Sequence, residues 1–261
     1  MHVRPVPLLP FVSKDAIVAL FYSVKWRESY LHIANKIISR IAILFLIIVC
    51  PLSVGAQEPP SPEEIAEYNG ILAAAARGDA MQIRALIMKG ENPNVRDNYE
   101  RTPLHVATYM GHHEAMRELV AAGANPNALE HDRYDIVTIA AVANDNPTLK
   151  IALSLGVSAK NITSRYDGTA LIAAAHLGHA EVVRTLIQAG APLDHINNLG
   201  WTALIESIVL GDGGLRHTDT LRELVNAGAN VNLADRNGQT PLSLARSRGY
   251  KEMVSILKRA Q

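Results

Sequence analysis

The fold of this chain is decided by the stretch RTPLHVATYMGHHEAMRELVAAGANPN, residues 101–127. Thr102 can act as a helix N-cap, because its hydroxyl can accept a hydrogen bond from an unpaired amide of the first turn. Pro103 suits the first helical position, where its missing N–H is not needed. Gly111 ends this short helix, and Gly123 ends a second one. The stretch therefore predicts two short antiparallel helices followed by an extended segment.

The same unit returns along the chain at a nearly constant interval. The glycine after the second helix recurs with steps of 33, 33, 34 and 38 residues, at Gly90, Gly123, Gly156, Gly190 and Gly228. The helix starts keep the same register, at Asn69, Thr102, Asp135, Thr169, Thr202 and Thr240. A regular period of this length is typical of stacked supersecondary units rather than of one enlarged core.

The sequence TPLH, the Gly-His pair between the helices and the Gly-Ala-Asn at the end of the unit resemble the ankyrin repeat, whose period is about 33 residues. The resemblance covers roughly residues 63–261. It implies an all-α ankyrin-repeat solenoid of about six helix-turn-helix repeats with β-hairpin fingers between them. We assign the repeat domain to residues 67–261, with repeat one as an N-terminal cap.

Two repeats depart from the pattern. Repeat three lacks TPLH and has Asn144 in place of the glycine between its helices, so we expect it to be folded but locally weaker. Repeat five has five extra residues between Gly211 and Asp219. We expect these to form a flexible loop, with His217 as a solvated loop residue.

Residues 1–56 have the three-part pattern of a secretory signal peptide. Basic residues precede the apolar run Ile41–Cys50, and small residues at Val54 and Ala56 predict cleavage near Ala56. The run is shorter than the roughly 20 residues of a spanning helix, but membrane anchoring by residues 41–56 remains the alternative. Residues 57–66 follow as a Pro-rich linker, in which Ser61 can cap a helix that starts at Pro62.

Charge and cysteine content exclude several function classes. The first 56 residues hold six of the 25 basic and two of the 25 acidic side chains, which leaves residues 57–261 with 19 basic and 23 acidic ones. A nucleic-acid partner is therefore not expected, because it requires a basic face. The single cysteine, Cys50, lies outside the repeats and allows neither an intrachain disulfide nor a thiolate metal site in them.

We find no catalytic motif and expect neither an enzyme nor a cofactor. His105 belongs to TPLH, and the ankyrin resemblance implies a structural role for it. His176 and His179 are three residues apart, which is a possible two-ligand metal spacing without an evident third ligand. A small-molecule, metal or haem-handling accessory protein that uses His113, His176 and His179 is therefore the alternative function.

The candidate partner-binding residues lie on the fingers and on the inner helices, which are the usual docking surface of ankyrin proteins. They are Tyr99, Arg101, Tyr134, Tyr166, Leu199 and Trp201 on the fingers and Tyr109, Met110, His113, His176, Leu177 and Leu210 on the helices. Aromatic and arginine side chains dominate interface energetics, and only 5% of this chain is aromatic. The alternative is that Tyr and Trp pack against neighbouring fingers.

We therefore predict an exported, non-catalytic scaffold that binds a protein partner through its concave face in the periplasm or after secretion. The chain is expected to be a monomer that touches a membrane only through an uncleaved N-terminal segment. A further alternative is a secreted effector that binds host proteins.

Overall fold

The computed structural model describes residues 57–261, so the predicted signal peptide, cleavage site and membrane anchor lie outside the described residues. Within them, helix α1 (Pro62–Glu67) precedes six helix pairs. The pairs are α2 (Gly70–Arg77) and α3 (Ala80–Met88), α4 (Pro103–Tyr109) and α5 (His113–Ala121), α6 (Ile136–Val142) and α7 (Asn146–Ser154), α8 (Ala170–Leu177) and α9 (Ala180–Gln188), α10 (Ala203–Val209) and α11 (Leu215–Asn226), and α12 (Pro241–Ser247) and α13 (Lys251–Arg259). In this part of the chain no helix has the length and apolar character to cross a membrane.

The predicted helix starts are confirmed. Five of the six N-cap side chains accept a hydrogen bond from the amide three residues on, at Thr102, Asp135, Thr169, Thr202 and Thr240. Asn69 also stands at a helix start, but its side chain makes no cap hydrogen bond. The carboxylate of Glu91 accepts from the Ile71 amide instead, at 2.9 Å.

The core is a continuous stack between the helices of successive repeats. Leu104, Met116, Leu149 and Leu186 are fully buried in it. Asn144 has φ 56° and takes the left-handed conformation that glycine has in the other repeats, so repeat three keeps the common backbone path. This stacking of equivalent helices confirms the all-α solenoid.

Each finger is organised by one side chain that accepts two backbone N–H groups, from the residues two and four positions later. The acceptors recur in register, at Asp97, Glu130, Ser164, Asn197 and Asp235. We name the resulting segments fingers two to six after the repeat that follows: Asp97–Arg101, Glu130–Tyr134, Ser164–Gly168, Asn197–Trp201 and Asp235–Gln239. In the described residues strand pairing is limited to β1 (Ile162–Thr163) with β2 (Gly168–Thr169) at finger four, and the other fingers are tight turns.

The expected flexible loop of repeat five is wrong. The extra residues lengthen the outer helix α11 to 12 residues, where the other outer helices have nine. His217 is buried rather than solvated, and its ring nitrogens contact the Asp212 carboxylate and the His176 carbonyl.

The helix is longer because His217 replaces the histidine of the Gly-His pair found in repeats two and four. In repeats two and four, His112 and His179 contact the carbonyls of Ala76 and Ala141, near the end of an inner helix in an earlier repeat. Repeat five has no histidine directly after Gly211. Six residues later His217 makes the equivalent contact, and this burial fixes the helix around it.

The Pro-rich segment also differs from the predicted linker. Residues 57–261 form one compact unit, and helix α1 begins at Pro62 with a capping box between Ser61 and Glu64, as expected of that cap. The segment is not a free connection, because residues 57–64 make hydrogen bonds to repeats two and three. We call residues 57–64 the N-terminal strap.

Candidate protein-binding face

The predicted contact residues fall into three groups by exposure. Tyr99, Tyr166 and Leu199 are exposed at the finger tips, with 40%, 37% and 38% of their surface accessible. The half-buried group contains Tyr109, Met110, His113, His176, Leu177, Trp201 and Leu210. Arg101 and Tyr134 are buried, with 1% and 7% accessible, so the expectation that they are exposed partner contacts is wrong.

The position within the finger explains this division. The residue two after the finger acceptor stands at the tip, whereas the residue four after it lies just before the N-cap of the inner helix and is buried or half-buried in fingers two to five. Tyr134 takes the second position, and burial raises the pKa of its phenol to about 12, because a buried phenolate loses its hydration. Trp201 takes the same position in finger five and packs partly against the core.

Arg101 is the centre of a buried polar cluster. Its Nε donates to Asp97 Oδ2 at 2.6 Å and its Nη2 to Glu64 Oε1 at 2.8 Å. The guanidinium lies over the Tyr99 ring, 4.6 Å from the centroid. The Tyr68 hydroxyl donates to the same Asp97 oxygen at 2.6 Å. The cluster therefore joins finger two to the strap through the buried Arg101 and Asp97 and the partly exposed Glu64, whose side chains are 1%, 7% and 27% accessible.

The protonation state of Asp97 follows from this geometry. Burial alone would raise its pKa, but the hydrogen bonds from Tyr68 and Arg101 hold the pKa below its ordinary value. Glu130 takes the same position in finger three and accepts the same two backbone amides. It lacks such partners, and burial raises its pKa.

The strap continues from this cluster across the inner helices of repeats two and three. The Glu58 carbonyl accepts from Arg101 at 3.2 Å, and Pro60 is buried. The Gln57 amide donates to the Ile139 carbonyl at 2.9 Å and lies beside the Tyr109 hydroxyl. The first half of the predicted face is thus covered by the chain itself.

Within residues 57–261, the hydrogen bonds of the strap stop at repeat three, so the strap leaves the second half of the face, over repeats four and five, open. Leu177 and Leu210 lie on its inner helices, and the exposed Tyr166 and Leu199 stand on its fingers. Beneath them the buried Glu206 contacts His176 Nδ1 at 3.2 Å and accepts from Asn197 Nδ2 at 2.8 Å. We call this region the open face.

The candidate metal-binding histidines have separate protein contacts. His113 Nε2 contacts the Thr148 hydroxyl at 2.8 Å, His176 contacts Glu206, and His179 Nδ1 contacts the Ala141 carbonyl. Between residues 57 and 261, no group of three or more His, Cys, Asp or Glu side chains is placed to hold a metal ion. The metal alternative therefore has no support from this part of the chain.

Sequence reasoning missed the residues that hold the strap. From the sequence, Glu64 is expected only to be favoured by the dipole of the helix that starts at Pro62, and no role is expected for Gln57, Tyr68 or Asp97. One available signal was the combination of an acidic, Pro-rich segment at residues 57–67 with an arginine at the end of finger two. The exposed tips of fingers two, four and five were found because their position follows from the repeat register alone.

Comparison with known proteins agrees with the helix pairs and their register. A family model described as ankyrin repeats in three copies matches residues 31–130 and 137–232, and a second ankyrin model matches residues 215–257. The ankyrin repeat protein YahD of Escherichia coli strain K12 is 31% identical over 187 residues, which is 71% of this chain and 92% of that protein.

Solved structures give the same picture. The crystal structure of an ankyrin repeat domain from Acinetobacter baumannii AYE has a TM-score of 0.68 and 42% identity, with 73% of this chain and 96% of that chain covered. The ankyrin repeat domain of Bcl-3 has a TM-score of 0.68 and 25% identity, with 74% and 86% covered. The chain is a member of the ankyrin repeat family.

Proposed function

We propose that the chain is a non-catalytic scaffold that binds a protein partner on the open face. Ankyrin repeats are generally protein–protein interaction domains without catalysis of their own. The observation that carries the proposal is that Tyr166 and Leu199 are exposed on adjacent finger tips, which are joined by the bond from Asn198 N to Tyr166 O. The half-buried Leu177 and Leu210 lie at the far ends of the inner helices of the same two repeats. Aromatic side chains are enriched at protein interfaces, and the centre of an interface is more apolar than its rim.

The rigidity of the frame supports binding without chemistry. Finger four is held to both neighbours by backbone bonds, Ser164 N to Arg133 O at 3.1 Å and Asn198 N to Tyr166 O at 2.9 Å. A surface that is already ordered loses little conformational entropy on association. We therefore expect binding with little change in the backbone of the fingers.

Affinity capture tests this proposal. The bait is the chain with Tyr166→Ala and Leu199→Ala, and the control bait carries Met81→Ala and Met88→Ala, which remove side chains that are 83% and 82% exposed on the outer helix α3. A partner retained by the control and lost by the finger variant supports the open face. Equal recovery by both baits places the site elsewhere, and the absence of a specific partner argues against a scaffold.

We also propose that the chain acts after export, as a monomer. The apolar run and the small residues before Gln57 support export, and the compact unit begins at that residue. Cell fractionation with N-terminal sequencing is expected to give a periplasmic or secreted protein that begins at Gln57, and light scattering a mass of one chain. A membrane fraction that retains residues 41–56 would favour the anchor, and capture of host proteins would favour a secreted effector.

A further inference from the structure

The N-terminal strap lies where the sequence predicts a partner. Tyr99, Arg101 and Tyr109 were expected to bind another protein, and each of them meets the strap or its buried polar cluster. The strap crosses from finger two to helix α6, since its two ends contact Arg101 and the Ile139 carbonyl. It therefore covers the same part of the face that an extended peptide from a partner would cover.

The contacts of the strap are those of a bound peptide. Glu64 supplies a carboxylate and Glu58 a carbonyl to the same guanidinium, at 2.8 and 3.2 Å. Pro60, which lies between these two contacts along the strap, is buried, and Gln57 adds the amide bond to Ile139. Proline keeps a segment extended at low entropic cost, and a charged fork such as Arg101 favours an acidic ligand.

The attachment is also one that can be released. Arg101 keeps its bond to Asp97 inside finger two when Glu64 leaves, so the guanidinium is not left without a counter-charge. The exposed side chains of Glu58, Pro59 and Glu63 show that much of the strap still faces water. Its departure exposes Arg101 and Tyr109 without removing any repeat from the stack.

We infer that residues 57–64 are an intramolecular occupant of the partner-binding face, and that an acidic, proline-containing segment of the partner competes with them for repeats two and three. This inference rests on the proposed function and extends the binding site beyond the open face. The free chain then presents half of its face, and the other half becomes available when the strap is displaced.

A peptide-binding experiment tests the competition. The probe is a fluorescein-labelled synthetic peptide with the sequence of residues 57–67, and binding to the full chain is followed by fluorescence anisotropy. The released variant carries Pro60→Ala and Glu64→Gln, which weaken the strap and leave the face unchanged. The matched control carries Pro59→Ala and Glu63→Gln, the exposed neighbours of the same residue types.

We expect the peptide to bind the released variant at least ten-fold more tightly than the unaltered chain or the matched control. A ten-fold difference in Kd means that the strap of the unaltered chain is open about a tenth of the time. A peptide that itself carries the Pro60→Ala and Glu64→Gln changes should lose this binding. Equal binding to all three proteins, or no binding to any, would overturn the inference.

Hydrogen exchange gives a second measurement in case the released variant does not fold. The Ile65 amide donates to the Ser61 carbonyl at 2.9 Å and reports on the strap and helix α1. We expect it to exchange through a local opening that does not depend on denaturant, faster than the Val106 amide in helix α4. Exchange of both amides only by global unfolding would show that the strap is a fixed part of the fold.

The two proposals fail in different ways. The peptide and exchange measurements need no external partner, so after a failed capture experiment they still test whether the strap is a releasable occupant, while the competition with a partner would be lost. Conversely, a partner that is captured through the open face and is indifferent to Pro60→Ala and Glu64→Gln would support the scaffold and overturn the competition.

Discussion

Finger two (Asp97–Arg101) and finger five (Asn197–Trp201) share a backbone and differ in what they hold. In each, the first side chain accepts two amides at 2.8–3.0 Å, and the first and last residues are joined by a backbone bond of 3.0–3.1 Å. Yet finger two is bound to the strap, whereas finger five lies beside the open face.

The difference comes from substitutions on one frame. The two fingers differ at four of five positions, and three of the differences remove charge: Asp97, Glu100 and Arg101 in finger two against Asn197, Gly200 and Trp201 in finger five. The fourth difference is Tyr99, which lies under the Arg101 guanidinium, against Leu199. The Asp97–Arg101 pair attracts a second carboxylate from the strap, and the uncharged finger five has no such attraction. The same finger backbone therefore accepts charged and uncharged residues, and two fingers of one solenoid can have different surroundings.

The largest effect should come from removing the charge at the centre of finger two. Arg101→Leu leaves the buried Asp97 and the partly exposed Glu64 without their shared cation, and we expect a loss of about 3 kcal/mol in the free energy of unfolding. Urea denaturation at neutral pH measures it. Arg165→Ala, which removes an exposed pair with Asp132, should cost under about 1 kcal/mol. If Arg101→Leu lowered the free energy of unfolding by as little as Arg165→Ala, the buried cluster would stabilise the fold no more than an exposed ion pair does.

His105 should make the stability contributed by repeat two fall in acid, whereas repeat five has no such residue. Burial lowers the pKa of His105 to about 4, and its ring accepts from the Thr102 amide while contacting the Ala128 carbonyl. The unfolded chain binds the proton first, near pH 6.5. Stability should therefore fall by about 3 kcal/mol as the pH drops from 6.5 to 4.

The equivalent residue of repeat five, Ile205, does not titrate. His105→Ile should remove this contribution, so the difference in unfolding free energy between the unaltered chain and the variant should shrink as the pH falls. A difference that is constant between pH 7 and pH 4 would show that the histidine does not stay neutral in the folded chain.

Acidic fingers two and three should respond to pH with opposite signs. The pKa of Asp97 is lowered, so its contribution to stability is present above the unfolded pKa and is lost as the pH falls through the folded value. The pKa of Glu130 is raised by burial, so stability decreases as the pH rises from the unfolded to the folded value. The free energy of unfolding, measured from pH 3 to pH 7, contains a contribution from each carboxyl, and the two contributions change with pH in opposite directions. Asp97→Asn should remove one of them and Glu130→Gln the other. Slopes of one sign in both would contradict the charge cluster.

The sequence predicts the frame of this molecule well because the frame is local. Caps such as Thr102 and Asp135 act within four residues, and the period then fixes which positions become finger tips. Tyr166 and Leu199 were found in this way. The export prediction and the partner-binding role of these residues stay predictions.

The remainder could not be read because it depends on contacts distant in sequence. Arg101 looks like an interface anchor, and only the structure shows that its ligand is Glu64, 37 residues away. His217 looks like a loop residue, and only its contact with His176, 41 residues away, explains the longer helix. Composition and spacing do not indicate which charged side chains, distant in sequence, form an ion pair in the fold.

The smallest predicted effect concerns one backbone angle in the compared fingers. Glu100 has φ 59° and Gly200, at the same position, has φ 85°. A residue with a Cβ is strained in this left-handed region, so Glu100→Gly should raise the free energy of unfolding by about 0.5–1 kcal/mol. The lost pair with Arg96 is half-exposed and should subtract little.

Thermal unfolding measures this gain as a rise of a few degrees in Tm, and the reverse change provides the control. Gly200→Ala adds the same strain in finger five, and its Cβ would also meet the Arg236 side chain at 2.5 Å, so Tm should fall. If Glu100→Gly lowered Tm instead, the contacts of the Glu100 side chain would stabilise the fold by more than the strain of its left-handed backbone costs. The turns of the two fingers would then be stabilised differently, and the charged residues of finger two would stabilise its own turn in addition to binding the strap.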